Sequence, residues 1–442
     1  MNILPYKLKT TNEQLTSRAG LLVVGQIMKQ LELSKSIDNY FPAPKSNRGI
    51  PASSYLETLI LMQHEGSFHL DDVKHFHDDE ALTQVLGIQK IPKASAIGNW
   101  LRRMGNNGQG LKSLSDVNKG VLKAALHRCK GITLDIDATE IISHKADAQW
   151  TYNKNQGYMP MVGHIAEVGM VVACDFRTGN TSPAKDNLAF IQQCKAALPQ
   201  DCYIKFLRID AAGYQAKIIQ YCEEQGIHYA IRAKMSVSIK EYIETLEETD
   251  WQPLIHKNGE VSQHQSTCRT VHWITGHETP LTLVIQRKAI KGQLELDMDT
   301  ATDSTELAEQ GYIYRSIVTD QEDWTDSQII HWYNQRGEDS ENRIKELKID
   351  FGGDVLPCSD FGANALYFMI SALSFNLLAL MRLFLPEELA HHRVMTIRWR
   401  LYAIAAKVVR TGRQIFIKMK RKHQELLEAV LARIRLIEPV VI

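Results

Sequence analysis

Asp135 and Asp137 stand two residues apart in LDIDAT. On an extended strand both carboxylates, with Thr133, point to one face, and Ile132, Leu134 and Ile136 to the other. Carboxylates held this close repel unless a cation or a basic side chain lies between them. A metal ion is the economical explanation; a solvent-facing edge strand is the plain alternative. Asp210 closes a second strand-like run, FLRID, and the carboxyl end of a strand is where α/β sheets gather ligand chemistry. Taken alone, Asp210 also reads as a helix N-cap. A third acidic candidate lies in WYNQRGEDSENRIKELK, where Glu341 and Lys348 share a helix face with Lys345 beside them. A glutamate there could complete a carboxylate triad while the lysines neutralise phosphate. A charged, solvated helix fits the same pattern. Three carboxylates offer the hard oxygens that a divalent cation takes.

These residues need a sheet and a long helix to hold them. From Gly131 the texture is strand-like, in GITLDIDAT, MVGHIAEVGMVVACDF, YIKFLRID and IHYAIRAK, with the helix patterns NLAFIQQCKAAL and YQAKIIQYCEEQG between the later ones. Strands in succession and then strands alternating with helices predict a mixed α/β sheet. Residues 131–233 form the first part of this core. Residues 234–310, with TVHWI and LTLVIQRK, read as a β-rich insertion, and 311–385 as the second part of the core, whose helix opens at Thr325 with Gln328 three residues on, a capping-box pattern. Residues 1–130 read as a helical N-terminal domain and 386–442 as a basic helical C-terminal region.

Within the first domain, DEALTQVLG, a short turn and ASAIGNWLRRMG have the proportions of a helix-turn-helix that would present Ser95, Asn99, Arg102 and Arg103. Two short helices joined by a turn are also common in any helical domain. The segment HEGSFHLDDVKHFHDDE offers His64, His69, His75 and His77 as zinc ligands, but the spacing matches no closed four-ligand pattern, and a polar helical surface is the better reading.

With 44% hydrophobic and 23% charged residues in 442, the chain is neither disordered nor fibrous. Its zero net charge hides segregation. Residues 386–442 carry 12 Lys and Arg against 5 acids, a net of +7, whereas residues 292–350 carry 15 acids against 5 Lys and Arg, a net of −10. The basic tail, including Arg410 and Arg413, suits phosphates, and the acidic segment suits cations; both also read as solvated helix faces. Seven cysteines without a CxxC pair predict reduced thiols, and the N-terminal run lacks a signal-peptide core, so a cytoplasmic protein is expected. The run from Phe361 to Met381 has the length of a membrane span, but Asn364, Ser371, Ser374 and Asn376 interrupt it, and it reads as a buried core helix.

Beyond these local patterns, the order and spacing of LDIDAT, GYMPMVGHIAEVGMVVACDFRTGNTS, RIDAAGYQAKIIQYCEEQGIHYAIRAK, YNQRGEDSENRIKELK and RLYAIAAKVVRTGR resemble the DDE transposases of bacterial insertion sequences. The likeness is to the branch whose third acid lies in a Tyr, Arg, Glu, Lys signature. It implies an RNase H-like core interrupted by the insertion. It makes Asp137, Asp210 and Glu341 ligands of two Mg²⁺ ions, with Mn²⁺ as a substitute. It also assigns Tyr333, Arg336 and Lys348, with Lys345 nearby, to gripping phosphates, and implies double-stranded DNA as partner, a homodimer on that DNA and no membrane. Asp137 is preferred to Asp135 because Ala138 and Thr139 follow it. Four residues separate Arg336 from Glu341 where the signature has three. On a regular helix the extra residue turns Arg336 by about 100° unless Gly337 permits a bulge. Glu338, with Lys345 seven residues on, is the rival third acid. A nuclease of the same fold without strand transfer and an inactive DNA-binding relative are the competing functions.

Overall fold

The structure, a computed structural model, describes residues 9–88, 90–127, 129–290, 306–309 and 311–437; the side chains of residues 338 and 339 lie outside this description. The chain divides into two units, one of residues 1–124 with 346–442 and one of residues 125–345. Residues 346–385, read from sequence as core, therefore cluster with the N-terminal helices.

The helical unit begins with α1 (Leu22–Gln30), α2 (Leu33–Tyr40), α3 (Ala52–Glu65), α4 (Glu80–Leu86), α5 (Ala94–Gly105) and α6 (Gln109–Leu126). Trp100 of α5 is its largest buried side chain and stacks on Tyr55 and Phe41, with ring centroids 5.0 and 5.6 Å away. Such aromatic stacks add to the burial of their large apolar surface.

The second unit carries the sheet. Its strands are β1 (Gly131–Ala138), β2 (Met161–Ile165), β3 (Met170–Asp175), β4 (Tyr203–Ile209), β5 (His228–Arg232), β6 (Gln252–Ile255), β7 (Val261–His272), β8 (Leu281–Ala289) and β9 (Tyr312–Thr319). Helix α7 (Asn187–Ala197) precedes β4, α8 (Ala216–Gln225) precedes β5, α9 (Val237–Thr245) precedes β6, and α10 (Asp326–Lys345) follows β9. The strand order is β6-β7-β8-β9-β5-β4-β1-β2-β3, with Leu307–Glu309 paired to β9 off this path. β1, β4 and β5 run parallel and the other neighbours antiparallel. Parallel neighbours need helical crossovers, which α7 and α8 supply. The insertion strands continue this sheet: β9 pairs with β5 on one side and β8 on the other, so the edge of β5 is covered.

One face of the sheet is apolar. Gly163 of β2 shows why a glycine is needed there, since a Cβ would lie 2.6 Å from Cys194 Sγ of α7. The opposite face carries α10, whose Ile329, Ile330 and Tyr333 pack on Ala230, Leu254, Val284 and Ile317 from four strands.

The helical unit resumes at residue 346 with a π-helical turn, Glu346–Asp350, and then α11 (Phe361–Arg382), buried along 94% of its most apolar stretch. Each polar residue that interrupts α11 has a partner. Ser371 Oγ and Ser374 Oγ bond the Gln63 amide at 2.9 and 2.7 Å, Asn364 exchanges bonds with the Cys358 backbone, and Asn376 donates to Asn118. A buried core helix, as expected, is the result.

Residues 386–442 depart from the helical expectation. β10 (Ala406–Thr411) and β11 (Gln414–Lys418) form a hairpin joined to Leu15–Thr16, before α12 (Arg421–Ile434). The β-branched runs flank the turn Gly412-Arg413, and Gly412 takes φ +60°, the left-handed conformation a tight hairpin demands.

Candidate active site

β1 and β4 lie parallel with Ile136 opposite Ile209, so the next residues, Asp137, next to last in β1, and Asp210, just past β4, come at neighbouring strand ends. Asp210 also fulfils the cap reading, since its Oδ1 accepts from the Ala212 N–H at 2.9 Å over the short turn Ala211–Gly213. The carboxylates of Asp135 and Asp137 do share a face, but the partner of Asp135 is not a metal. Arg208, opposite it on β4, donates from Nε and Nη2 to the two Asp135 oxygens, both at 2.7 Å, and the pair is buried. The signal was present: Arg208 lies two residues before Asp210 and alternates onto the same face.

Helix α10 delivers the basic side. Thr325 and Gln328 close the expected capping box, Thr325 N–H to Gln328 Oε1 at 2.8 Å and Gln328 N–H to Thr325 Oγ1 at 3.3 Å. With its first turns fixed on the sheet, the helix sets the Tyr333 hydroxyl 3.3 Å from the Ile209 carbonyl and pairs Arg336 with Asp137 Oδ1. Arg336 Nη1 also reaches the Ile136 carbonyl at 3.4 Å, and its guanidinium lies 5.6 Å from the Tyr333 ring centroid. Burial pushes the Asp137 carboxyl up to about 6; Arg336 opposes this, while Asp210 and Asp135 add to it. Three buried atoms around this pair have no hydrogen-bond partner: Asp137 Oδ2, Arg336 Nε and Ser340 Oγ.

The remaining predicted residues divide. Glu341 is exposed, whereas Ser340, four residues after Arg336, is fully buried. Glu341 lies about 140° around the helix from Arg336, and α10 runs without interruption through Gly337, so no bulge absorbs the extra residue. Lys345 is exposed, Lys348 belongs to the helical unit, and the Glu338 side chain lies outside the described residues. In the helical unit Asn99, Arg102 and Arg103 are exposed on α5, and Arg102 is paired with Asp360 at 2.8 Å. Arg410 and Arg413 are exposed on the β10–β11 hairpin.

Among the described residues no group of three or more His, Cys, Asp or Glu is arranged to hold a metal. Of the histidine segment, His64 is buried with its Nδ1 3.1 Å from the Tyr402 hydroxyl. Asp137 and Asp210 stand together without Glu341. Two carboxylates on adjacent strand ends, one with a buried oxygen lacking a partner, are a fitting donor set for a hard divalent cation.

Several described acids of the acidic stretch form internal pairs. Glu306 holds Arg232 and Arg315, Asp320 accepts from the Tyr229 N–H, and Asp326 pairs with Arg269. Residues 292–305 and 310 lie outside the described residues.

The family described as "Transposase DDE domain group 1" matches residues 5–439, almost the whole chain. The chain belongs to this family of DDE transposases. Among solved structures, a piggyBac transposase synaptic complex with hairpin DNA is similar to the transposase at 11% identity and a TM-score of 0.44, covering 87% of this chain and 78% of that one. No curated protein matches it. Sequence reasoning missed His164, which sits opposite Asp135 on β2, fully buried, with neither ring nitrogen hydrogen-bonded. Burial holds its pKa down to about 3. Its alternation with Val162 in a strand was the available signal.

Proposed function

We propose that this transposase cleaves DNA strands at the ends of a bacterial insertion sequence and joins them to target DNA, in a reaction that depends on Mg²⁺. The observation that carries the reading is the pairing of Asp137 and Asp210 at adjacent strand ends beneath Arg336, with Asp137 Oδ2 left without a partner. A strand order of β3-β2-β1-β4-β5, antiparallel and then parallel, supports an RNase H-like core.

Asp137 and Asp210 would hold the cation through carboxylate oxygens, and Glu341 is the third ligand that the run ENRIKELK suggests. Bound there as two ions, Mg²⁺ or its substitute Mn²⁺ would supply Lewis acidity at phosphorus and activate water or a 3′ hydroxyl. Arg336 is the chain's own contribution to phosphate binding: a guanidinium fork matches phosphate oxygens, and its hold on Asp137 keeps it at the site until DNA arrives. Tyr333, anchored to the Ile209 carbonyl, supports that guanidinium from below. Lys345 and Lys348 add charge along the same stretch of chain. No side chain need act as nucleophile, so cleavage and joining are one reaction with different attacking oxygens.

The same proposal covers the Tyr, Arg, Glu, Lys branch, double-stranded DNA held by a homodimer, and a cytoplasmic site of action at the chromosome. The test uses labelled linear DNA carrying the inverted repeats that flank the coding region. Nicks at the repeat boundary and joined products that vanish with Asp137→Asn support the reading. Hydrolysis without joining would instead make the chain a nuclease, and no cutting of any DNA by the unmodified protein would sink both.

A further inference from the structure

Arg208 uses all three of its guanidinium nitrogens inside the protein. Nε and Nη2 fork onto Asp135 of β1, and Nη1 donates to the Trp332 carbonyl of α10, while the guanidinium lies 5.1 Å from the Trp332 ring centroid. The residue is almost completely buried. One side chain of β4 therefore ties together the strand that ends in Asp137, the strand that ends in Asp210 and the helix that carries Tyr333 and Arg336.

Neutralising Asp135 does not account for this arrangement. A buried ion pair contributes little net stability over apolar residues of the same volume, because desolvation offsets most of its attraction. What an apolar pair could not supply is the third donor. In an α-helix the Trp332 carbonyl is also the acceptor for the Arg336 N–H, so Arg208 grips the very turn from which Arg336 projects. Lysine has the charge but not the planar fork, and would not reach both partners in this geometry.

We propose that Arg208 is a positioning residue, which through Asp135 and the Trp332 carbonyl fixes the turn of α10 that sets Tyr333 and Arg336 over Asp137 and Asp210. It touches no reacting atom. This inference rests on the cleavage reaction proposed above, and it also has a consequence that involves no cleavage, the local stability of α10.

The experiment compares the full-length protein with Arg208→Lys and with the double variant Asp135→Leu/Arg208→Met. The double variant removes both buried charges and so keeps the unit folded; Arg208→Lys keeps a charge opposite Asp135. Three quantities are read: affinity for the labelled element end, single-turnover cleavage at saturating protein, and amide hydrogen exchange in peptides spanning residues 329–340. Both variants should bind the end within about threefold of the unmodified protein while cleavage falls by about a hundredfold, the cost of a small misplacement of binding groups. Exchange in the α10 peptides should quicken while that of β1 stays slow. If the double variant cleaves at the unmodified rate with unchanged exchange, Arg208 only neutralises Asp135 and the proposal is overturned. Should the unmodified protein cut nothing, the reaction is wrong, and the exchange comparison still decides whether Arg208 holds the helix.

Discussion

Ser340 and Glu341, adjacent on α10, face opposite environments: Ser340 is sealed against the sheet with its hydroxyl lacking a partner, and Glu341 stands in solvent. The side of the helix that meets Asp137 is thus the side of Arg336 and Ser340. A third carboxylate from Glu341 requires α10 to turn by about 100°, one residue's worth of rotation.

Each carboxylate of the proposed ligand set can be tested by its carboxamide. Asp137→Asn and Asp210→Asn are each expected to retain end-specific binding and lose at least about a thousandfold in Mg²⁺-dependent cleavage, since each removes metal-borne stabilisation worth several kcal/mol. Glu341→Gln should show the same loss, with Ser340→Ala mild. A gel assay of cleavage beside a binding assay on the same DNA reads both. A Glu341→Gln variant that cuts at the unmodified rate would remove Glu341 from the ligand set.

Acid sensitivity is expected from His164. In the unfolded chain it takes a proton near pH 6.5, but in the folded protein only near 3, because burial disfavours the charged ring. Its folded pKa is depressed, so the full stability is present above pH 6.5 and drains as pH falls toward 3, by about 1.4 kcal/mol per pH unit. His164→Leu, of similar volume and without a proton to take, should flatten this slope. Urea midpoints of the two proteins at pH 8 and pH 5 would measure it, and parallel declines would refute the assignment.

Gly105 lies where α5 crosses the start of α11, and a Cβ there would sit 2.2 Å from the Gly362 carbonyl oxygen. Neither backbone can yield without disturbing its helix. Gly105→Ala is therefore expected to destabilise the helical unit by about 1–3 kcal/mol or more, read as a fall in its thermal midpoint. Gly87→Ala is the useful contrast: it has open space but a φ of +69°, so its cost comes from backbone strain alone.

Arg413 stands in the turn of an exposed hairpin and Arg410 on the strand leading into it. If they meet phosphates, neutralising both with glutamine should reduce the slope of log affinity against log salt by about two, without changing preference for the element end over random DNA. A salt titration on both DNAs would show it. An unchanged slope would leave the hairpin as part of the fold only.

Much of the scaffold was legible because periodicity reports faces directly. The alternation in LDIDAT put Asp137 on the face that α10 covers, the capping box at Thr325 located the start of α10, and the polar breaks in Phe361–Met381 marked a core helix. Periodicity does not report who stands opposite. That Asp135 meets Arg208 and His164 depends on the register of β1 with β4 and β2, a tertiary property, so the metal inferred between two carboxylates proved in part to be an arginine. The tail misled for a different reason. Its charge invited a helical surface, while the turn chemistry of Gly412-Arg413 between β-branched runs, the stronger physical signal, went unread.

The helical unit is assembled from both ends of the chain, with α3 and α5 packed along α11 and Gln63 bonded to two of its serines. During synthesis those N-terminal helices emerge without the helix that fills their centre, whereas the sheet unit is one contiguous run and has every strand once Lys345 is made. The order of folding is thereby written into the order of translation: the sheet completes first, and the older N-terminal segment waits with apolar faces open until residue 382 has left the ribosome. A message truncated anywhere before that point yields an orphaned set of helices with open apolar faces, fit for chaperones and proteases.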